Sequence, residues 1–332
     1  MKVLITGAAG FLGSHLADWF VKNGDTVVGI DNLIGGYRDN VNQKVDFHEL
    51  NLIEYEKILL LFEGVDLVYH CAATAYEGLS VFSPRLVTQN IVDASIATIT
   101  ASIAQKVVRF VFCSSMARYG AQRVPFTEEM VPLPQDPYGI GKVAAENLLV
   151  NLARVHGMEY VIAVPHNIIG PRQKYDDPYR NVAAIMINRM LQGEQPIIYG
   201  DGTQKRCFSF VQDDLHPLVK LAIAPVVGEV INIGPDEEFV SINELAEVIG
   251  RILDFKVKPI YVKDRPQEVK LANCSADKAR RLLGYQTTYT LEQGLREMAA
   301  YVKKRGPKPF DYHLPLEIVN EKTPDTWKDR LI

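Results

Sequence analysis

Tyr138 and Lys142 stand four residues apart, so on a helix their side chains project from one face toward the same partner. A phenol with an ordinary pKa of about 10 is a poor base at neutral pH, and a neighbouring ammonium favours its ionised form. Alone the pair carries little weight: with 15 tyrosines in the chain, about one such spacing arises by chance. Upstream, Ser114 and Ser115 close an apolar run where a strand would end. A serine there can hydrogen-bond a reacting hydroxyl and relay its proton, although strand-end serines more often serve as caps. A third feature is Gly7-Ala8-Ala9-Gly10-Phe11-Leu12-Gly13, directly after the first β-branched run. Such a turn lets backbone N–H groups approach a pyrophosphate, and it equally suits any tight strand-to-helix corner. Asp31 ends the second run, where a carboxylate accepts hydrogen bonds from ribose hydroxyls and repels a 2′-phosphate, favouring NAD over NADP. Arg38 nearby reads as an exposed loop residue.

Placing these groups together calls for an α/β fold, a Rossmann-type doubly wound parallel sheet with helices on both faces. Short runs at Val3–Thr6, Thr26–Asp31, Leu67–Cys71, Val108–Ser114 and Tyr160–Pro165 predict strands. Apolar residues at helical spacing predict helices over 11–23, 86–105 and 139–156. Beyond residue 165 the strands shorten, Pro and Gly become frequent, and helices are expected near 178–192, 214–223, 241–253 and 290–304. We therefore expect a dinucleotide-binding domain over 1–165, completed by segments near 207–234, and a smaller α/β substrate-binding lobe over most of 166–332. The tail after Gly306, rich in Pro and charge, reads as an extended wrap without chemistry of its own.

Composition narrows the ligand class. A net charge of −4 offers no basic stripe for a nucleic-acid backbone, which leaves a nucleotide-sized ligand. Cys71, Cys113, Cys207 and Cys274 are scattered without a Cys-x-x-Cys pair, which argues against structural zinc and a disulfide framework; no metal is expected. Cys71 and Cys113 read as buried strand residues. No stretch approaches the roughly 20 apolar residues that span a bilayer, and glycines interrupt the apolar start before it forms a signal peptide. The expected compartment is the cytoplasm.

The motifs also occur together in a known order. Gly7-x-x-Gly10-x-x-Gly13, Asp31-Asn32-Leu33, His70-Cys71-Ala72-Ala73, Asn90, Ser114-Ser115 with Tyr119-Gly120, Pro137-Tyr138-Gly139 with Lys142, and Asn167 with Gly170-Pro171-Arg172 run through the chain. Over nearly its whole length the sequence resembles the extended short-chain dehydrogenase/reductases of the UDP-glucose 4-epimerase branch. The resemblance implies catalytic roles for Ser115, Tyr138 and Lys142, and an NAD shell that adds Phe11, Leu12, Asn32, Leu33, Leu52, Cys71, Ala72, Ala73 and Asn90. Asn51 stands where the family usually places an Asp near the adenine, which weakens that contact. It also implies that Asn167, Arg206 and Arg265 hold the diphosphate or sugar of a UDP-sugar, that Glu268 replaces the usual Asp at a ribose hydroxyl, and that Ala272 leaves room for a C2 substituent such as an N-acetyl group.

The reaction so implied is epimerisation of a UDP-hexose at C4, by transient oxidation and return of the proton and hydride. Met116 and Ala117 fill the positions where a 4,6-dehydratase carries an Asp-Glu pair, which counts against elimination of water. A 4-ketoreductase on the same fold is a further alternative. Arg118, Arg172 and Arg180 keep a uronate epimerase or decarboxylase open. A non-catalytic dinucleotide-binding scaffold is the alternative of another class. By resemblance the chain forms a homodimer through the helices near 86–105 and 139–156.

Overall fold

The computed structural model describes residues 1–332. Seven parallel strands form the central sheet: β1 (Lys2–Thr6), β2 (Thr26–Asp31), β3 (Asp46–Glu49), β4 (Leu67–His70), β5 (Arg109–Cys113), β6 (Glu159–Pro165) and β7 (Val230–Ile233). Their spatial order is β7-β6-β5-β4-β1-β2-β3. Successive side chains of a strand face opposite sides, so Leu4, Val28, Val68 and Phe110 enter one core while Val3, Ile5, Val27 and Val111 enter another. Both faces are covered, which is why these strands read as continuous apolar runs. β3 is an edge strand of sequence Asp-Phe-His-Glu, too polar to have been anticipated, and β7 returns from the second half to pair with β6.

Strand order reverses between β1 and β4, so the crevice for a ligand lies beyond Thr6 and His70. His70 is fully buried there: its ring bridges the Thr6 hydroxyl at 2.8 Å and the Ser95 hydroxyl at 3.0 Å, and burial lowers its pKa to about 3. It ties strand ends together as a neutral imidazole.

Helix α1 (Phe11–Lys22) follows the glycine turn. The helix expected over 86–105 is composite: α2 (Pro84–Thr88) passes through a π turn at Gln89–Asp93 into α3 (Ala94–Ala104). π turns recur at functional sites because the extra residue re-aims side chains, and this one carries Asn90. Helix α4 (Pro137–His156) begins with Pro137, is capped by the Asp136 carboxylate accepting from Gly139 N–H at 2.8 Å, and stops at left-handed Gly157.

In the second half, helices Val182–Leu191, Ile242–Leu253 and Leu291–Arg305 pack around Met186, Leu245, Ile249, Leu295 and Met298. Two starts differ from expectation. The first helix begins at residue 182 rather than 178, because the Asn181 side chain caps it by accepting from Ala183 N–H, which frees 178–180 for the cavity wall. The helix expected at 214–223 runs Val211–Lys220, directly from Phe210. A helix at Asp277–Leu283 went unrecognised. The tail is more than a wrap: Trp327 packs against Phe82, Tyr179 and Tyr199, and Ile332 reaches the cavity lining.

Candidate active site

A single cavity of about 420 Å³ runs from the glycine turn to Arg206, Arg265 and Glu268. Gly7, Gly10, Phe11, Leu12 and Gly13 line one end; Ser115, Tyr138 and Lys142 line the middle; Asn167, Arg206, Arg265 and Glu268 line the other end.

The turn is built for close approach. Gly7 adopts φ +72°, and a Cβ on it would lie 2.9 Å from the Ala72 nitrogen across the β1–β4 crevice. A Cβ on Gly13 would sit 2.1 Å from the Gly7 carbonyl oxygen. No side chain caps the start of α1, so its first N–H groups are available to an anion, with the helix dipole behind them. Gly13→Ala is therefore expected to displace the turn and weaken NAD binding by about 100-fold, the loss an ångström of misplacement brings. Calorimetric titration with NAD checks it, with circular dichroism to confirm an intact fold.

Asp31 is buried and accepts N–H groups from Ala9 at 3.0 Å and Leu33 at 2.7 Å; burial raises its pKa against their pull. Asn32, Asn51, Leu52, Cys71, Ala72, Ala73 and Asn90 line the same reach of cavity. Leu33 does not: it contributes the N–H that orients Asp31. The Asn51 side-chain oxygen Oδ1 accepts Ile53 N–H at 3.2 Å. Arg38 stays away, stacked 4.1 Å over the Phe47 ring. A cradle of glycines, a free helix start and a buried acid at the end of β2 together fit a dinucleotide without a 2′-phosphate.

In the middle, Ser115 stands just beyond β5 and accepts Ala117 N–H at 3.1 Å, capping the short turn Met116–Tyr119. Burial raises the pKa of the Tyr138 phenol, and the neighbouring Ser115 hydroxyl draws it part of the way back. The Lys142 ammonium, which lines the same cavity as Tyr138, donates to the Cys113 carbonyl at 2.7 Å. The carbonyl at the end of β5 accepts this hydrogen bond and so holds the ammonium at the cavity wall. Burial lowers Lys142 to about 8. Cys113 is buried in β5; Cys71 is half-buried past β4, and their free thiols lie 3.5 Å apart.

At the far end Arg206 and Arg265 both grip Glu268, at 3.1 and 2.6 Å, and Arg265 lies 4.6 Å over the Tyr199 ring. Asn167 donates to the Cys207 carbonyl at 2.8 Å. Ala272 pairs with Arg206 in a small sheet and, itself buried, lines not the main cavity but an adjoining recess of about 60 Å³. Of the arginines weighed for a uronate, Arg118 is buried against Glu146, Arg172 pairs with Asp18, and Arg180 alone lines the cavity. Glu77 and Tyr179, which the sequence reading passed over, line it too. A lone acid between Tyr76 and Gly78, soon after the end of β4, was the available signal for Glu77.

No helix is long and apolar enough to cross a membrane. Residues 3–234 match the sequence model of the NAD dependent epimerase/dehydratase family. Among solved structures, the UDP-glucose 4-epimerase of Thermotoga maritima with UDP-glucose is 32% identical, covers 92% of this chain and 99% of its own, and superposes with a TM-score of 0.87. The UDP-glucuronic acid 4-epimerase of Bacillus cereus, solved with UDP-glucuronic acid and NAD, is 30% identical, covers 92% and 100%, and gives 0.84. UDP-glucuronic acid decarboxylase 6 of Arabidopsis thaliana is 31% identical over 303 residues, 89% of this chain and 87% of the relative. The sheet order, the glycine cradle and the matched residues agree: this chain belongs to the NAD dependent epimerase/dehydratase family.

Proposed function

We propose that the protein is an NAD-dependent epimerase that inverts C4 of a UDP-hexose. The observation that carries the reading is the shared cavity, in which the glycine turn, the Ser115–Tyr138–Lys142 group and the paired arginines lie in sequence. NAD, when bound along the turn, supplies reversible hydride transfer at C4. Tyr138 takes the O4 proton and returns it, and Ser115 holds the hydroxyl in line. Lys142 keeps a positive charge beside the ring. Arg206 and Arg265 exchange part of their hold on Glu268 for the diphosphate, so the nucleotide stays fixed while the hexose turns.

A uronate substrate has one specific observation in its favour, Arg180 on the cavity wall, and relatives named for uronates share the fold. Incubating the purified protein with UDP-, dTDP- and GDP-sugars and resolving products by NMR tests both. We expect C4 epimers of a UDP-hexose without net change in NADH absorbance. Release of carbon dioxide from a UDP-uronate would move the assignment to decarboxylation, and no product from any sugar would remove it. We further place the protein in the cytoplasm as a homodimer, with the half-buried Val92, Ile96 and Leu148 at the contact, which light scattering checks.

A further inference from the structure

Nearly every charged side chain on the cavity wall is already committed to a partner. Asp31 and Asp177 accept backbone N–H groups, and Asp177 also takes the Tyr76 hydroxyl at 2.5 Å. Glu268 holds two arginines, Lys142 is bonded to a carbonyl, and Lys174 is paired with Asp176 at 3.1 Å. Two remain. The Glu77 carboxylate has no hydrogen-bond or ion-pair partner in the protein, and Arg180 has only the Tyr76 ring, 5.8 Å away. Both are exposed, and both line the cavity, so their exposure is to its interior.

Their place follows from their neighbours. Glu77 borders the main cavity with Ser115 and Tyr138, and also the recess shared with Arg206, Arg265 and Glu268. A sugar with C4 at Tyr138 and its diphosphate at the arginines must pass alongside it. We propose that Glu77 is a specificity-determining residue: it accepts a hydrogen bond from a neutral hexose and disfavours a hexose bearing a carboxylate, against the opposite bias of Arg180. This inference rests on the nucleotide-sugar reading above.

The surroundings support it. Enclosure within the cavity, which keeps much bulk water from a side chain that touches few protein atoms, raises the Glu77 pKa to about 7 together with Asp136 nearby, although Arg206 opposes the rise. Walls that already penalise one negative charge would meet a second from a uronate. Arg180, with its donor fork free, pulls such a carboxylate the other way, and removal of Glu77's charge leaves that pull unopposed.

The test is calorimetric titration of the NAD-loaded protein at pH 8, where Glu77 is ionised, with UDP-glucose and UDP-glucuronate. The wild-type protein is expected to favour UDP-glucose. Glu77→Gln is expected to shift the affinity ratio toward UDP-glucuronate by about tenfold, the scale of one like-charge contact in a partly solvated site. Adding Arg180→Gln is expected to take that gain away. An unchanged ratio in Glu77→Gln, or a gain that survives loss of Arg180, overturns the inference while leaving the nucleotide-sugar reading intact. Binding of neither ligand by the wild-type protein overturns both.

Discussion

Tyr138→Phe is expected to lower turnover about 10³-fold while NAD stays bound, since the variant removes one oxygen and keeps the ring that fills the site. The ring is buried among Val87 and Ile91 of the helix bearing Asn90, so packing survives. The turn capped by Ser115 also survives, because its hydroxyl still accepts Ala117 N–H. What disappears is the group that carries the O4 proton. Its pKa is raised by burial, with Ser115 and Arg180 pulling it down and Glu77 opposing them, so the free energy that makes it a base has to be gathered inside the cavity. Single-turnover rates with a UDP-hexose, read beside bound NAD per protomer, check this. Retention of more than a tenth of wild-type turnover would remove Tyr138 from proton transfer; loss of NAD would make its role structural.

How much of this was legible in the sequence depends on how local each signal is. Gly7 to Gly13 reads directly, because strand, turn and helix are contiguous and the turn tolerates no Cβ at Gly13. The Tyr138–Lys142 spacing indicates one helix face but not what anchors the ammonium, since the Cys113 carbonyl that receives Lys142 comes from a strand 29 residues away. Leu33 was placed in the cofactor shell and Ala272 beside the sugar, yet Leu33 lies off the cavity with its N–H on Asp31, and Ala272 borders a neighbouring recess. Glu77 opens a one-turn helix, Glu77–Ser80, too short to show periodicity, and Arg180 lies in a bend; only the assembled cavity shows that they lack partners. The tail's Trp327 was illegible for the same reason: its indole N–H donates to the Pro178 carbonyl, 149 positions back. The mixed polarity of β3 hid an edge strand whose pairing is supplied by β2 alone.

The second large effect lies behind the site. Glu146 and Arg118 form an ion pair at 2.9 Å with side chains only 5% and 6% exposed, and Ser114 donates its hydroxyl to the other Glu146 oxygen. Glu146 lies one turn beyond Lys142 on α4, while Arg118 belongs to the turn that Ser115 caps. The pair thus fixes the strand-end serine against the helix that carries Tyr138. Glu146→Leu strands the guanidinium, whose Nε already lacks a partner, in a low-dielectric interior. Leaving one buried charge unmatched costs roughly 3–5 kcal/mol, whereas replacing both partners by apolar groups of similar size is often neutral. Glu146→Leu is accordingly expected to lose about 4 kcal/mol of stability in denaturant unfolding. Arg118→Met added to it should return most of that loss, so the two substitutions are strongly non-additive. Additive costs would show that the pair is no energetic unit. The repaired double variant, stable yet without the ionic tie to Ser114 and the Ser115 turn, then separates stability from positioning: lower kcat at unchanged NAD affinity is the mark of a serine that is no longer held in line.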